Sequence, residues 1–354
     1  MAQATVISER VVTVEAERDG EGDALLVRPA DLPAALGWEL TSSGLCAGDI
    51  CVPVRDPSSL AVGPYLDVAA VARALGRQVV VDADAGIVAV SLPAEARRQA
   101  LSGLVAPAME LPDLEGTLHS FDEWSGRKRL VVTFSSWCGC RYDLPGWQQL
   151  ADELAPDGLT VIAVAIDHDA DDVRPWVGGL TIPVLYDPTH LMTELYAISN
   201  VPTTVWIDEQ GRIARPNGYA FGTDTFADFT GEESGPHLEA VRTWVRTGRP
   251  PLSAEEASGA VADLTDDEVL ARLHFRVGAE AHRQGDGATA ERHLAEAAAL
   301  APDDLTIWRA AMPLLGQDPF GQDFLDRYDA WRAKGSPAHV LPGHPGTPGR
   351  EVVA

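Results

Sequence analysis

The sequence lacks the long apolar runs and the leader that would place a chain in or across a membrane. No stretch approaches the roughly 18 consecutive apolar residues that a transmembrane helix needs. The start, MAQATVISERVVTVEAERDG, has no basic segment followed by an apolar core, as a secretory signal would, and no early cysteine for lipid attachment. We therefore expect a cytoplasmic protein, or an extracytoplasmic one if the start has been trimmed.

Basic side chains are scarce. The chain has 27 Lys and Arg against 53 Asp and Glu, which gives a formal net charge of −26. Nucleic acids and anionic membrane surfaces are bound mainly through Lys and Arg. The charge balance therefore argues against both as partners, and we interpret the acidic excess as an aid to solubility.

Cysteine is also scarce, and the four cysteines form two close pairs, too few for a disulfide-dense secreted scaffold. The first pair lies in GLCAGDIC. If Gly48 and Asp49 form a two-residue turn, Cys46 lies directly opposite Cys51, where a cross-strand disulfide can form. The alternative is that these two small side chains only pack across the hairpin.

Length predicts two or three domains. The first, residues 4–92, combines short β-rich segments with two short helices that end in Ala-Leu-Gly, and it finishes with a hairpin around DADAG. This small α+β unit resembles the N-terminal domain of copper amine oxidases, which implies a binding or stalk module and does not imply copper chemistry. Residues 93–106 are predicted to form a helical linker.

The second predicted domain, residues 107–249, alternates apolar strands with helices. The predicted strands are RLVVTFSS, LTVIAVAID, IPVLYD and PTTVWID. Strands that are apolar throughout are typical of a sheet covered by helices on both faces. We therefore predict an α/β domain here.

The last part of the chain is predicted to be helical. A Pro/Gly/Ser-rich linker, residues 250–264, leads to an all-α region, residues 265–333. Within it, RVGAEAHRQGDGATAERHLAEAAALAPDD resembles a tetratricopeptide repeat, with Gly278 and Pro302 at that repeat's small-residue and closing-proline positions. This TPR-like region is expected to pack on a neighbour or a protein partner, and an ordinary helical hairpin is the alternative. The tail, residues 334–354, is predicted to be disordered.

The second cysteine pair lies in SSWCGCRYDLP, where only Gly139 separates Cys138 from Cys140. An apolar strand runs into Trp137 and a helix follows. A cysteine at a helix N-terminus meets the positive end of the helix dipole and free N–H groups, which favour the thiolate, and Arg141 adds a positive charge. The thiolate is the nucleophile of disulfide exchange, so these residues form a candidate redox site.

The combination of VVTFSSWC-x-CRYDLP with VPTTVWIDEQGRI resembles the thioredoxin-fold redoxins, most of all the TlpA/ResA branch of thiol–disulfide oxidoreductases. The resemblance covers residues 107–249 and implies a thioredoxin-like fold. It implies that Cys138 is the attacking cysteine, that Trp137 is the aromatic residue shaping its surroundings, and that Cys140 is the candidate for the resolving cysteine.

The same resemblance implies further site residues. Pro202 matches the cis-proline that holds the substrate backbone beside the cysteines, and Val201 precedes it. An acidic residue near Asp167-His168-Asp169 handles protons in the ResA-like branch, and His168 is the candidate for acid–base work here. A solvated polar turn is the alternative for this segment. No cofactor and no metal ion is expected.

The spacing of the cysteines departs from the family pattern by one deleted residue. On a continuous helix, side chains two residues apart point to nearly opposite sides, so a disulfide between Cys138 and Cys140 requires both at or before the first turn. Gly139 would permit the necessary bend. The smaller ring is expected to be strained, which predicts a comparatively oxidising couple.

The expected function is thiol–disulfide exchange on protein or small-molecule thiols and disulfides, in cell redox homeostasis or antioxidant defence. Three alternatives remain open. In a thiol peroxidase Cys138 would attack peroxide, but the proline that usually accompanies a residue such as Thr133 is absent. A soft-metal clip would use both thiols, but no Met or His stands beside Cys138. An adaptor would retain the pair without using it.

Overall fold

The computed structural model describes residues 2–19 and 24–337, and the chain folds as two compact units. The first unit combines Met1–Ala94 with Leu264–Pro302, and the second combines Glu95–Asp263 with Asp303–Ala354. Each unit is therefore assembled from two stretches of chain that are far apart in sequence. The predicted disordered tail lies outside the described residues beyond residue 337.

The strands, in chain order, are β1 (Ala2–Ile7), β2 (Val11–Arg18), β3 (Leu25–Val27), β4 (Glu39–Thr41), β5 (Gly44–Ala47), β6 (Ile50–Val52), β7 (Ala61–Val62), β8 (Tyr65–Asp67), β9 (Val79–Asp82), β10 (Ile87–Val90), β11 (Glu110–Pro112), β12 (Leu118–Ser120), β13 (Lys128–Phe134), β14 (Leu159–Ala165), β15 (Val184–Tyr186), β16 (Thr203–Ile207) and β17 (Ile213–Tyr219).

The α-helices, in chain order, are α1 (Leu32–Leu36), α2 (Val68–Ala74), α3 (Ala94–Leu101), α4 (Leu144–Leu154), α5 (Ala170–Val177), α6 (Leu191–Leu195), α7 (Ala227–Thr230), α8 (Ser234–Thr247), α9 (Ala254–Ala257), α10 (Asp266–Arg283), α11 (Gly287–Leu300), α12 (Leu305–Leu314) and α13 (Gln322–Ala333). Among the residues described, no helix combines the length and the apolar character that a membrane crossing needs.

The first unit is built on a seven-stranded sheet with the order β7-β8-β3-β2-β1-β10-β9. Strand β10 is buried along its whole length, because both faces of the sheet are covered. Val88 and Val90 lie in the apolar core that contains residues of α1 and α2, whereas Ile87 and Ala89 lie in a core with residues of α10. Successive side chains of the strand point to opposite faces of the sheet, so they contribute to two separate cores.

The structure divides the helical region predicted at residues 265–333 between the two units. Helices α10 and α11 complete the first unit, whose predicted range was residues 4–92, whereas α12 and α13 belong to the second. The apolar stripe of a helix can be recognised in the sequence, but the surface that buries it is decided by tertiary packing. The resemblances to the copper amine oxidase domain and to tetratricopeptide repeats stay predictions.

The hairpin formed by GLCAGDIC has the register expected from its turn. Strands β5 and β6 pair Cys46 with Cys51 directly across the ladder. Gly48 in the turn has a φ of +57°, which favours glycine. The two cysteines form a disulfide with their Cα atoms 4.1 Å apart, so their contact is covalent and is more than side-chain packing.

The second unit contains a five-stranded sheet with the order β15-β14-β13-β16-β17. Strands β13, β14 and β15 are parallel, and β16 and β17 continue the sheet in antiparallel pairs. Every residue of the central strand β13 is buried. The predicted α/β sheet is confirmed, and its strands match the apolar segments of the sequence closely.

Helix α12 of the second unit packs against the segment that leads into β16. The Leu305 N–H, at the start of α12, donates a hydrogen bond of 2.8 Å to the Ser199 carbonyl oxygen. The Thr306 hydroxyl donates to the Ile198 carbonyl oxygen at 3.4 Å. Because β16 adjoins the central strand, α12 is fixed beside the centre of this unit.

We predict that Gly278→Ala destabilises the first unit. A Cβ at this position of α10 would lie 2.8 Å from Cγ of Leu294 in α11, so the two helices would have to separate. Overpacking of this kind costs about 1–3 kcal/mol. Urea unfolding of the whole chain, followed by circular dichroism, measures the loss. Gly287→Ala is the matched control, because a Cβ at position 287 meets no atom within 4 Å.

Candidate active site

Cys138 and Cys140 lie where the central strand passes into a helix. After β13 the chain enters a 3-10 helix, Gly139–Asp143, which continues into α4. Cys138 is the N-cap residue of the 3-10 helix, with extended backbone, and its Sγ accepts a hydrogen bond of 3.2 Å from the Cys140 N–H. Both cysteines are free thiols, and they are only 5% and 2% exposed.

The segment before β16 brings Pro202 to the same place. The Val201–Pro202 peptide bond is cis, as the resemblance to redoxins implied. The Val201 carbonyl oxygen lies 3.5 Å from the Sγ of Cys138, which donates its S–H to it. The fold thus joins residues that are some 60 positions apart in sequence, because β13 and β16 are neighbours in the sheet.

The loop that precedes the cysteines is held by Asp167, the second residue after β14. The Ser136 N–H donates to both carboxylate oxygens of Asp167, at 3.0 and 3.1 Å, and the Ser136 hydroxyl also donates to it. Burial raises the pKa of Asp167 to about 6. The neighbouring His168 is half-buried, and its carbonyl oxygen accepts a hydrogen bond from the Tyr186 hydroxyl. A role for His168 in proton transfer stays a prediction.

Asp143, at the end of the 3-10 helix, is a second buried carboxyl group that the sequence did not single out. It accepts hydrogen bonds from the Thr223 N–H at 2.9 Å and from the Thr223 hydroxyl at 2.6 Å. Burial raises the pKa of Asp143 to about 6. Its negative charge in turn raises the pKa of both Cys138 and Cys140.

The pKa values of the two thiols are shifted in opposite directions. Burial acts to raise the pKa of Cys138, but hydrogen bonding from Cys140 and the positive charge of Arg309 together outweigh it, and this pKa lies below its ordinary value. Burial, followed by the interaction with Cys138, raises the pKa of Cys140 well above its ordinary value. Cys138 is therefore the thiol that ionises first.

Arg141, to which the sequence assigned the positive charge beside Cys138, points elsewhere. Its guanidinium group donates to the Ser136 carbonyl oxygen and lies 4.0 Å from the ring centre of Trp176. The cation that acts on Cys138 is Arg309, which comes from α12 and lies far along the chain. The only local signal for it was a single arginine within the apolar stretch LTIWRAAM.

Gly139 is required for a different reason from the one expected. Its φ is outside the left-handed region, so the backbone bend does not itself demand glycine. A Cβ at position 139 would instead lie 2.9 Å from two ring carbons of Phe226. The aromatic ring, contributed by the segment after β17, packs directly on the backbone between the two cysteines.

Trp137 is buried beside the pair, and its ring faces the guanidinium group of Arg309 at 5.9 Å. A soft-metal site with three or more ligands would need further side chains around the two thiols. Within residues 2–19 and 24–337, no group of three or more His, Cys, Asp or Glu side chains is arranged to hold a metal ion.

The strand order, the cysteines at the N-terminus of the helix after β13 and the cis-proline before β16 define a thioredoxin-like redoxin. The model of the AhpC/TSA family matches residues 103–215. The chain is 27% identical over 143 residues to the thiol–disulfide oxidoreductase ResA of Geobacillus thermodenitrificans, covering 40% of this chain and 78% of ResA. It is 32% identical over 117 residues to the thioredoxin-like protein YneN of Bacillus subtilis, covering 31% of this chain and 68% of YneN.

The chain belongs to the thioredoxin-like proteins, and it is a thiol–disulfide oxidoreductase. Solved structures that resemble it include the exposed lipoprotein thioredoxin Etrx1 of Streptococcus pneumoniae, with 27% identity, a TM-score of 0.29 and coverage of 32% of this chain and 90% of Etrx1. Another is a secreted disulfide oxidoreductase of Mycobacterium tuberculosis, with 18% identity, a TM-score of 0.28 and coverage of 33% and 81%.

The expected cytoplasmic location is wrong. The ResA-type relatives are extracytoplasmic thiol–disulfide oxidoreductases. The expectation depended on the lack of long apolar runs and on the composition of the first residues, and neither of them decides the compartment. The Cys46–Cys51 disulfide agrees with the correction, because disulfides persist in oxidising compartments and are rare in the cytosol.

We predict that Asp143→Asn lowers the pKa of Cys138. Above its own pKa of about 6, Asp143 carries a negative charge that disfavours the nearby thiolate, and the amide removes this charge. The ultraviolet absorbance of the thiolate as a function of pH measures the change. Asp167→Asn is the control, because Asp167 has a similarly raised pKa but is not among the main charges acting on Cys138. An unchanged Cys138 pKa in Asp143→Asn would contradict the prediction.

Proposed function

We propose that the chain exchanges thiols and disulfides through Cys138-Gly139-Cys140, with Cys138 as the attacking and Cys140 as the resolving cysteine. The observation that carries this assignment is the position of Cys138, whose Sγ accepts the Cys140 N–H at the start of the 3-10 helix and lies 3.5 Å from the Val201 carbonyl oxygen beside the cis-proline. Only the thiolate attacks a disulfide. Cys138 is therefore the nucleophile while Cys140 keeps its proton.

The reaction proceeds in two exchanges. The Cys138 thiolate attacks one sulfur of a substrate disulfide, so that a mixed disulfide forms and one substrate thiolate leaves. Cys140 then loses its proton and attacks the Cys138 sulfur, which forms the Cys138–Cys140 disulfide and releases the second substrate thiolate. Two electrons pass from the pair to the substrate. In the reverse direction the oxidised pair accepts two electrons from a dithiol.

The local backbone supports a bond between the two cysteines. Cys138 caps the 3-10 helix from an extended conformation, and Cys140 is the second residue of its first turn. The pair therefore does not lie on a continuous α-helix, where the two side chains would diverge. The hydrogen bond from the Cys140 N–H to the Cys138 Sγ holds the two residues together and favours negative charge on Cys138.

Val201 and Pro202 are proposed to position the substrate. The Val201 carbonyl oxygen contacts the Cys138 thiol at 3.5 Å, so a polypeptide lying along this segment would bring its own sulfur to Cys138. Trp137 closes the site beside the attacking cysteine, and it is buried. The substrates we propose are thiols and disulfides of proteins or of small molecules. A protein partner of the TPR-like region stays a prediction.

We predict that Cys140→Ser traps a mixed disulfide on Cys138. The first exchange remains possible in this variant, but no second thiol is present to release the substrate. Mass spectrometry under non-reducing conditions, after reaction with oxidised glutathione, measures one glutathione bound per chain. Cys138→Ser is the matched control and should bind none. Disulfide exchange activity that is retained in Cys138→Ser would refute the assignment of the attacking cysteine.

We also predict that the Cys138–Cys140 couple is more oxidising than thioredoxin. A ring closed across a single intervening residue is smaller than the ring of the usual two-residue spacing, and strain favours the reduced form. Equilibration with defined glutathione mixtures, followed by thiol trapping, measures the potential. A value at or below about −270 mV, that of thioredoxin, would contradict the prediction. The Cys46–Cys51 pair is replaced by serines in this measurement so that it does not contribute.

A further inference from the structure

Helix α12 lies outside the range in which the sequence placed the redox domain, yet it reaches the active site. Its first residues, Leu305 and Thr306, bond to the carbonyl oxygens of Ser199 and Ile198. These two residues precede Val201, whose own carbonyl oxygen contacts the Cys138 thiol. The start of α12 is therefore attached to the loop that carries the cis-proline.

Arg309 lies one turn further along α12, and its side chain is fixed. It is 7% exposed. Its Nε and Nη2 donate to the Pro319 carbonyl oxygen at 3.3 and 3.1 Å. Its guanidinium carbon lies 3.7 Å from the ring centre of Phe324 and 5.9 Å from that of Trp137, the residue before Cys138.

A buried guanidinium group normally requires an anion. Among the described residues no Asp or Glu forms an ion pair with Arg309. Burial lowers the pKa of Arg309, and the charges that act against burial are those of Cys138 first and then of Cys140 and Tyr328. The Cys138 thiolate is the anion that forms in the active site, and it can balance the buried charge of Arg309.

We propose that Arg309 is the cation that stabilises the Cys138 thiolate, and that α12 is thereby a functional part of the active site. Arg309 acts through Cys138 and is a positioning residue. The proposal rests on the proposed function in one respect, since it takes Cys138 as the attacking thiol. It adds a residue that lies some 170 positions from the cysteines and outside the segment that matches the family.

Other groups also face the two residues. The titratable or charged side chains that act on Cys138 or Arg309 are Cys140, Arg141 and Asp143 of the 3-10 helix, Tyr219 of β17 and Tyr328 of α13. Of these, Arg141 also carries a positive charge, but its guanidinium group is engaged by Ser136 and Trp176. Asp143 opposes the thiolate. Arg309 is thus the cation available to Cys138.

The positive charge of Arg309 is also expected to affect the reduction potential of the Cys138–Cys140 couple. A cation that stabilises the thiolate stabilises the reduced form of the pair and not the disulfide, which carries no charge. Loss of Arg309 should therefore make the couple less oxidising as well as lowering the thiolate fraction of Cys138. Both effects have the same physical origin, and a purely structural role for Arg309 would produce neither in a folded protein.

The test compares Arg309→Met with Arg309→Lys in the full-length chain. The readouts are the thiolate absorbance as a function of pH and the pH dependence of alkylation of Cys138. Without the charge, the thiolate fraction below the Cys138 pKa is expected to fall about tenfold, which corresponds to one pKa unit. Arg309→Lys, which keeps the charge, is expected to restore most of it.

Arg327→Met is the matched control. Arg327 is also an arginine that stacks on a buried aromatic residue, with its guanidinium carbon 4.4 Å from the ring centre of Trp308. The charge that acts on it is that of Asp303, with no contribution from either cysteine. Its replacement should leave the titration of Cys138 unchanged, although it removes a comparable stacking contact.

Three results would overturn the proposal. The first is an unchanged Cys138 titration in folded Arg309→Met, and the second is an Arg309→Lys variant as impaired as Arg309→Met. The third needs no variant at Arg309: in the intact protein, a Cys138 pKa at or above that of the same residue in the denatured chain. Because thiolate titration does not require turnover, these results are independent of the Cys138→Ser activity test.

Discussion

A thiolate held in a protein interior has to be balanced by hydrogen-bond donors and a positive charge, and much of the second unit serves this requirement at Cys138. The central strand ends four residues before the cysteine, a 3-10 helix supplies the Cys140 N–H, and α12 supplies Arg309. Burial of the pair at 5% and 2% exposure makes each contribution strong, because little water competes with it. The same burial keeps the second thiol protonated, so one environment produces two cysteines with different chemistry.

The site is assembled from segments that are distant in sequence, and each has a distinct task. The end of β14 provides Asp167, which fastens the loop before the cysteines through Ser136. The segment before β16 provides the cis-proline, and the segment after β17 packs Phe226 against Gly139. Helix α12 closes the arrangement from the C-terminal part of the chain. Parallel and adjacent strands make this convergence possible, since their ends meet at one edge of the sheet.

Much of this was visible in the sequence, and the failures have physical causes. The α/β sheet, the strand-to-helix position of Cys138 and the register of the GLCAGDIC hairpin follow from local patterns of burial and turn formation, whereas the cis-proline was implied by the resemblance to redoxins. Arg141 was expected to place a positive charge beside Cys138, but its guanidinium group donates to the Ser136 carbonyl oxygen, because proximity in sequence does not determine where a long side chain points. Gly139 was explained by backbone bending, whereas the constraint is the ring of Phe226, which no local pattern reveals.

The sequence by itself determined the class of chemistry, because two cysteines at a strand-to-helix junction and a proline before a later strand are local features. It also determined which segments are apolar enough to become buried strands. Only the tertiary structure decided that α10 and α11 complete the first unit while α12 joins the second, and that the positive charge of Arg309 acts on Cys138. The physical reason is that the sequence shows which helix face is apolar and where an arginine lies within it. Which surface covers that face, and which group the arginine faces, depends on the surfaces that the folded chain brings together.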